Sequence, residues 1–338
     1  MSYEIGIADN YKDLLVRLRD FISNPSRSDD SGSGITEIVP IDSDLESGEA
    51  SQVWEVGESS GDIYSRWNDD LDGTGEYELI ACGPGSGSDQ IFVGIQTFMN
   101  VGGDYYNWRL QGFTGCALAN TFDNQPGAIS SYQPRMLMRN ISMKYWFIVN
   151  GRRIIVVVNV DPGYYQACYL GFLLPYGSPS QLPYPLVIGG SANTSQNRFS
   201  ENEAGNSIFV DPNGLTSSEA TLKLLHGSWR NFYNASLGAN VWPYVSRLTS
   251  VYSSGNSYDR FREIERNLDN SYPLFPLILM SNEATIQKNL WGELQGCFAL
   301  PGAGLSAENE ITVDGDTYIA FPNVYRTGTH NFWCVKKE

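Results

Sequence analysis

The chain has 338 residues, 41% of them hydrophobic and 13% aromatic, with 38 acidic against 22 basic side chains and a formal net charge of −16. That apolar share can bury a large core, so the composition excludes a wholly disordered chain and allows one large β domain or two smaller domains. The 34 glycines, 16 prolines and many aromatic residues favour short strands joined by turns. A charge of this sign repels phosphate groups, so nucleic acid is not an expected partner.

Membrane insertion and export are also not expected. Ile154–Val158 is among the longest apolar runs of the sequence. It is far shorter than the roughly 18 apolar residues that span a bilayer. The first ten residues lack the basic and apolar regions of a signal peptide, which predicts folding in a cytoplasm. No two cysteines form a C-x-x-C pair, so we expect all five to be reduced and mostly buried. They are Cys82, Cys116, Cys168, Cys297 and Cys334.

Charge divides the chain unevenly. Residues 1–80 hold 19 acidic and 5 basic side chains (5 − 19 = −14), whereas residues 81–338 hold 19 acidic and 17 basic ones (17 − 19 = −2). This difference predicts two units, an N-terminal helix with an acidic arm over residues 1–76 and a nearly neutral β-rich body over residues 77–338. Within the arm, residues 26–34 read as a flexible link and residues 35–62 as an extended segment with one edge strand.

The first element is an amphipathic helix predicted over residues 9–22. Asp9 or Asn10 can serve as its N-cap, and Asn24-Pro25 ends it. Its apolar residues at helical spacing are Tyr11, Leu14, Leu15, Leu18, Phe21 and Ile22. Two interpretations are open: the stripe packs on the body of the same chain, or it docks in a groove of a neighbouring subunit. In the second, Leu14, Leu18 and Phe21 are interface residues.

A short acidic run follows the arm. Asn68, Asp70 and Asp72 stand at alternate positions before Gly73, which is typical of the opening of a calcium loop. The closing bidentate Glu is missing, because Leu79 occupies its position and Glu78 lies one residue early. The run therefore has two interpretations, an acidic β-turn or a weak cation site at these three residues.

The remainder reads as a β-sheet built from hairpins. Strands are predicted at Tyr77–Cys82, Gln90–Phe98, Tyr106–Phe113, Tyr145–Val149, Arg153–Val160 and Gln166–Leu174. Asn150-Gly151 predicts a type I′ hairpin turn, which places the Val and Ile run after it in the middle of a sheet. Further hairpins are predicted around Asp314-Gly315 and within Asn289–Leu300. The predicted fold class is mainly β, a β-sandwich or barrel-like body with an N-terminal α-helix, α+β overall.

Two segments of this body are predicted to be loops. The prolines between Pro175 and Pro185 cannot lie in a central strand, because each removes a ladder donor, and they predict an ordered extended loop. Residues 193–206 are polar and predict an exposed loop.

Catalytic motifs are missing from the sequence. It has no H-E-x-x-H, no G-x-S-x-G and no Walker lysine, and its two histidines, His226 and His330, have no second ligand pair beside them. We therefore expect no enzyme activity, no cofactor and no catalytic residue. Two aromatic groups could stack on sugars or belong to the core. They are Tyr105, Tyr106 and Trp108, and Trp229, Phe232 and Tyr233.

Several stretches are distinctive in combination: Tyr145–Arg153 (YWFIVNGRR), Tyr165–Gly177 (YQACYLGFLLPYG), Pro183–Leu186 (PYPL), Tyr105–Leu110 (YYNWRL) and the opening helix around Tyr11–Leu15, with weaker returns at Gly292–Gly296 and Val324–Gly328. In these stretches the sequence resembles a family of tailed-bacteriophage virion proteins found among tail and baseplate genes. The resemblance implies a component of a virus particle and brings no catalytic motif with it. The acidic stretches at 29–58 and 201–206 lie outside it.

Together these observations favour a non-enzymatic structural component of a tailed-phage virion, a tail or baseplate/tail-tip subunit. Its expected partners are other tail or baseplate proteins and further copies of itself, and Arg152 and Arg153 at the predicted hairpin tip are candidate contacts. The alternative is a receptor- or glycan-binding protein at the tail extremity, with a host surface glycan as its partner. A hydrolase of cell-wall sugars is a third possibility.

Overall fold

The computed structural model describes residues 2–28, 34–41, 51–57, 65–71, 73–84, 90–130, 133–177, 186–192, 207–209, 220–223, 229–231, 243–246, 265–283, 287–329 and 331–337. Within them the chain is mainly β, with antiparallel sheets and an N-terminal α-helix, which confirms the predicted fold class. No described helix has the length and apolar character of a membrane span.

The helix α1 spans Tyr11–Ser23, and a short 3-10 helix spans Phe122–Asn124. The strands are β1 (Ser2–Ala8), β2 (Ile35–Val39), β3 (Glu55–Val56), β4 (Arg66–Leu71), β5 (Glu76–Cys82), β6 (Phe92–Asn100), β7 (Tyr105–Phe113), β8 (Arg135–Met138), β9 (Met143–Asn150), β10 (Arg153–Asp161), β11 (Tyr164–Phe172), β12 (Leu174–Pro175), β13 (Leu186–Gly189), β14 (Ala220–Lys223), β15 (Trp229–Asn231), β16 (Pro243–Ser246), β17 (Phe275–Glu283), β18 (Gln287–Leu300), β19 (Glu310–Val313), β20 (Asp316–Pro322) and β21 (Phe332–Lys336). The six strands predicted between residues 77 and 174 all form.

The described strands form three sheets. The central sheet has eight strands in the order β15-β14-β13-β11-β10-β9-β1-β2. A six-stranded sheet runs β3-β5-β6-β7-β8, with β4 also paired to β5. A seven-stranded sheet runs β16-β17-β18-β21-β20-β19, with β12 paired to β18. The Val and Ile run of β10 lies in the middle of the central sheet, as its uninterrupted apolar sequence predicts.

The central sheet is buried on both faces. Because side chains alternate along a strand, Tyr145 and Phe147 of β9 pack with α1 and the six-stranded sheet in one core. Trp146 and Ile148 point the other way and pack with the seven-stranded sheet in a second core. The layers are therefore the six-stranded sheet with α1, the central sheet, and the seven-stranded sheet. This three-layer arrangement explains why the interiors of the two strands, Tyr145–Val149 of β9 and Ile154–Val158 of β10, consist of aromatic and aliphatic residues.

The described residues of the N-terminal segment, 2–28, 34–41, 51–57 and 65–71, pair and pack with this body. The predicted division of the chain into a helix with an acidic arm over residues 1–76 and a body over residues 77–338 stays a prediction, because most of the acidic stretch at 29–58 lies outside the described residues. Strand β1 pairs with β9 along its whole length, from Ser2 opposite Val149 to Ala8 opposite Met143. Strand β2 extends the same sheet, and β3 and β4 pair with β5. The segment joins the fold because its apolar side chains complete the first core, whatever the sign of its surface charge.

The hairpin of β9 and β10 is confirmed, but its turn differs from the predicted type. Neither Asn150 nor Gly151 has the positive φ of a type I′ turn. Instead, the Asn150 Oδ1 accepts hydrogen bonds from the backbone N–H groups of Arg152 (2.9 Å) and Arg153 (3.0 Å). This side-chain cap closes the turn without left-handed residues.

Type I′ character appears at the second predicted hairpin. Asp314 (φ 54°) and Gly315 (φ 89°) are both left-handed and connect Val313 to its partner Asp316. The third predicted hairpin, within residues 289–300, is wrong: these residues form the continuous strand β18. Its glycines bend the strand, since Gly296 has a φ of 72° and Gly292 lies against the β12 backbone.

Several sequence predictions lie wholly or partly outside the described residues. They include most of the proline-rich segment at 178–185, the polar loop at 193–206, both histidines, and Phe232 and Tyr233.

A buried lysine ties the edge of the central sheet to the edge of the seven-stranded sheet. The Lys337 Nζ contacts the carboxylates of Glu37 (2.6 Å) on β2 and Glu310 (2.7 Å) on β19. Partial burial acts to raise the pKa of Glu37, but hydrogen bonds from Lys337 and Tyr3 outweigh it and lower that pKa. The two outer edges are therefore joined by charge as well as by apolar packing.

We expect Leu18→Ala to lower the free energy of unfolding by about 2–5 kcal/mol, because Leu18 is fully buried in the first core. Urea unfolding followed by tryptophan fluorescence measures this. Val101→Ala is the control, since Val101 is 70% exposed and its truncation should change stability by less than about 0.5 kcal/mol. Equal effects of the two substitutions would contradict the placement of α1 inside the core.

The Glu37–Lys337 contact predicts a pH-dependent stability. Because the folded pKa of Glu37 is lowered, the contact stabilises the fold above the unfolded pKa of 4.5 and is lost as the pH falls through the folded pKa. Lys337→Met should therefore lower the urea midpoint at about pH 6 and have a smaller effect at about pH 3. The control is Lys336→Met, which removes a more exposed pair with Asp316. An equal loss at both pH values would argue against the contact.

Candidate interaction surface

The helix residues predicted as an interface are core residues. The Asn10 Oδ1 accepts hydrogen bonds from the backbone N–H groups of Lys12 (2.9 Å) and Asp13 (3.0 Å), which begins the helix where the sequence predicts. The side chains of Leu14, Leu18 and Phe21 are then fully buried against the chain's own sheets. The interface role predicted for these three residues is corrected, because no partner can reach side chains that the fold itself covers.

The two arginines at the β9–β10 turn have different environments. Arg153 is fully buried, its guanidinium donates to the Ile148 carbonyl (3.2 Å), and burial lowers its pKa. Its predicted role as an exposed contact is corrected. Arg152 is exposed and lies over the ring of Phe172, 5.0 Å from the ring centroid. Its contact with a partner stays a prediction.

The end of β4 (Asn68–Leu71) and the turn at residues 73–75 together lead into β5, and we call these described residues the acidic turn. The Asn68 Oδ1 accepts from the Asp70 N–H (3.0 Å), and the Asp70 Oδ1 accepts from the Gly75 N–H (2.8 Å). Both predicted ligands thus hold their own turn together, and Asp72 lies outside the described residues. In the described part of the chain, no three His, Cys, Asp or Glu side chains are grouped to hold a metal ion. The geometry favours the β-turn interpretation of this run.

A buried carboxylate that the sequence did not reveal holds the N-terminal segment in place. Glu4 is fully buried on β1, where its carboxylate accepts from Arg27 (Nε 2.5 Å, Nη2 3.1 Å) and from the hydroxyl of Tyr145 (2.6 Å). Burial and the neighbouring carboxylate raise the pKa of Tyr145. The partners lie 23 and 141 residues away in sequence, so no local pattern could have predicted the cluster. Its groups satisfy one another, which indicates a structural role.

A row of polar side chains crosses the outer face of the six-stranded sheet. Glu78 on β5 pairs with Arg66 and accepts from Gln96, and Arg109 donates to Gln96 (2.7 Å) and Asp123 (2.5 Å). Burial raises the pKa of Glu78, although Arg66 opposes that shift. The row also binds the loop that covers this face, because Arg66 donates to loop carbonyls. The charged and amide groups of this row bind one another and the covering loop. The row therefore indicates a structural role, which is to hold that loop on the sheet.

The aromatic residues predicted as a surface divide between core and surface. Trp108 is fully buried, and its Nε1 donates to the Tyr11 carbonyl (2.9 Å). Tyr105 and Tyr106 are half-buried beside it. Trp229 is half-buried and donates to the Gly127 carbonyl (2.7 Å). Trp108 therefore follows the core interpretation, whereas Tyr105 remains at a hairpin tip.

A surface with the composition of a protein contact lies at one end of the central sheet. Strand pairing brings three chain segments to this end: Ala8 lies opposite Met143, Lys144 lies opposite Asn159, and Asp161 lies opposite Tyr164. The loop after β20 joins them, because the Tyr165 N–H donates to the Val324 carbonyl (2.8 Å). Residues distant in sequence therefore share one face.

The loop after β20 holds an aromatic and a cationic side chain in fixed positions. Val324 is buried with a φ of 59°, which is rare for a β-branched residue and costs about 1–3 kcal/mol. The preceding residue is held on both sides: the Asn323 Oδ1 accepts a hydrogen bond from the Ser207 N–H (2.8 Å), and the Asn323 N–H donates to the Asn331 carbonyl (2.7 Å). These bonds fix the start of the turn at Val324. As a result Tyr325 packs on Tyr164, with ring centroids 5.4 Å apart, and Arg326 lies 4.5 Å from the Tyr325 centroid.

Exposed apolar residues occur at the same end. Ile7 is 45% exposed on β1, Ile141 is 42% exposed just before β9, and Val101 is 70% exposed at the tip joining β6 and β7. That tip is close, because Tyr106 at the start of β7 packs on Tyr11 just after β1. We define the end surface as Ile7, Val101, Ile141, Tyr164, Tyr325 and Arg326. Apolar side chains beside Tyr and Arg are typical of protein–protein contacts.

No protein-family model matches the chain, and a search of curated proteins finds no significant match. The expectation that the chain has no catalytic residue and no cofactor stays a prediction. Functional inference therefore depends on the end surface and on the resemblance noted above.

All five cysteines are free thiols, and four are buried. Burial raises the pKa of Cys82, Cys168 and Cys297 to about 12, and also raises those of Cys116 and Cys334. We expect Ellman's reagent at about pH 8 to modify no thiol quickly except the half-buried Cys116. All five should react in denaturant, and rapid reaction of several thiols in the native protein would contradict this burial. Cys116→Ser is the control that identifies the reactive thiol.

Proposed function

We propose that this chain is a non-enzymatic structural component of a tailed-phage virion, a tail or baseplate/tail-tip subunit that assembles through protein–protein contacts. The end surface is the observation that carries the proposal. Three exposed apolar side chains stand there beside a tyrosine pair and an arginine. Exposed apolar groups of this kind mark contact sites, and Tyr and Arg contribute most where they are buried by a partner.

The positions of the resembling stretches support the proposal. Residues 145–153 form the β9–β10 hairpin at the centre of the fold, and residues 165–172 form most of the next strand, β11. A resemblance in these strands concerns the scaffold. Residues 324–328, by contrast, include Tyr325 and Arg326 of the end surface.

Composition of purified particles tests the proposal. Peptides of this chain should appear in the mass spectra of purified infectious virions, in proportion to the other tail proteins. Its absence from particles would contradict the proposal, as would clearing of peptidoglycan in a zymogram by the purified chain.

The end surface predicts which variants fail to assemble. Tyr325→Ala combined with Ile141→Asp should leave the fold intact and reduce incorporation into particles by about tenfold or more, since hot-spot truncations of about 1.4 kcal/mol or more have this effect. Leu290→Asp is the matched control, because Leu290 is 51% exposed on β18, outside the end surface. Normal incorporation of the double variant would show that the end surface is not used in assembly.

Glycan binding is the second candidate function, and the β6–β7 tip favours it. Tyr105 packs on Phe98 (5.8 Å between ring centroids), and Arg135 lies 5.5 Å from the Phe98 centroid. Half-buried rings beside a cation can stack on sugars. Binding of the purified chain to a glycan array, lost in Tyr105→Ala and retained in Tyr176→Ala, would favour this candidate; an array without signal would exclude it for the sugars tested.

A further inference from the structure

We propose that the end surface, together with the acidic turn (residues 68–71 and 73–75), joins two copies of this chain about a two-fold axis. In this arrangement the acidic turn of each copy meets Tyr325 and Arg326 of the other, and the exposed apolar residues lie between the two contacts. The inference specifies one contact of the assembly proposed above and rests on that proposal for its biological setting only.

The acidic turn lies at the same end of the molecule as the end surface. The Lys12 Nζ donates to the Gly75 carbonyl (2.5 Å), so the turn touches the first residues of α1. Those residues follow Ala8, which lies opposite Met143 at the start of β9. Asp161 and Tyr164 stand at that same end of the central sheet, and Tyr164 carries Tyr325. The acidic turn and the Tyr325–Arg326 loop therefore lie at the same end of the molecule.

The two features nevertheless belong to different layers. The acidic turn connects strands of the six-stranded sheet, whereas Tyr325 and Arg326 follow β20 of the seven-stranded sheet, and the central sheet lies between these layers. They flank the end of the central sheet on opposite sides. A two-fold axis that lies in the plane of the central sheet and runs across its strand ends exchanges the two outer layers. In that arrangement the acidic turn of one copy faces the cationic loop of the other. Contacts of this kind are self-complementary, as an isologous dimer requires.

Charge favours this pairing. Asp69 and Asp70 are exposed, and the hydrogen bond that the Asp70 Oδ1 accepts comes from Gly75 of the same turn. Two chains of net charge −16 repel each other overall, so association needs a local match of opposite sign. Arg326 of the partner copy provides that match, which mainly fixes register and partner choice.

The apolar residues provide the buried area. Val101 is 70% exposed, Ile7 45% and Ile141 42%. Burying them between two copies removes apolar surface from water. The turn at Val324 and the packing of Tyr325 on Tyr164 fix the position of Tyr325 before binding. Less conformational entropy is therefore lost when two copies associate. Each copy thus contributes a preformed site.

Sedimentation velocity of the purified full-length chain over a concentration series tests the proposal. The wild type should show a monomer–dimer equilibrium. Arg326→Glu, and separately Asp69→Lys with Asp70→Lys, should each raise the dimer dissociation constant by about tenfold or more. All three changes in one chain restore opposite charges across the axis and should recover most of the affinity. Ile141→Asp, which alters only an exposed side chain, should also weaken the dimer.

The controls are Arg152→Glu, an exposed arginine that also lies over an aromatic ring, and Leu290→Asp, an exposed leucine on β18. Both should dimerise as the wild type does, and thermal melting checks that every variant is folded. A wild type that stays monomeric would overturn the proposal, as would single variants that dimerise normally or a combined variant that does not recover. A chain present in virions but monomeric in solution would refute this inference and leave the proposed function standing.

Discussion

Burial of the central sheet on both faces is the constraint on which the rest of the structure depends. Alternate side chains of strands β9 and β10 lie in two separate cores, one on each face of the sheet. Each face must therefore be covered by a layer of its own. The six-stranded sheet with α1 covers one face, and the seven-stranded sheet covers the other. The described N-terminal residues contribute helix α1 to the first of these layers, which is why α1 belongs to the body.

Such burial leaves few places for charge, and the structure pairs the charged groups that enter. Glu4 is fully buried with Arg27 and Tyr145, and Lys337 joins two outer edges through Glu37 and Glu310. A buried carboxylate without such partners would cost several kcal/mol. Because the paired residues are far apart in sequence, these contacts connect the layers and make their packing cooperative.

The side chains that stay available for contact with a partner consequently lie at the ends and in the loops of the fold. The two large faces of the central sheet are covered, and the outer face of the six-stranded sheet carries a loop anchored by Arg66 and Arg109. At one end of the sheet, apolar side chains stay exposed beside a tyrosine pair and an arginine on an imposed turn. The proposed role in assembly needs a rigid body with contact residues at its extremities, and this arrangement fits that requirement.

The sequence alone determined the helix, the six early strands and the hairpins at residues 150 and 314, because these depend on local periodicity, caps and turn residues. It also placed the β10 run in the middle of a sheet, since only a strand buried on both faces tolerates so many apolar residues in succession. Tertiary structure decided which residues are buried, how one turn is closed and where one strand continues, because these depend on contacts between residues distant in sequence. Leu18 and Arg153 became core residues because other strands cover them, Asn150 capped its turn with its side chain, and residues 289–300 continued as one strand because neighbours pair along it. The end surface likewise exists only after folding, because pairing of distant strands brings Ile7, Ile141 and Tyr325 to one face.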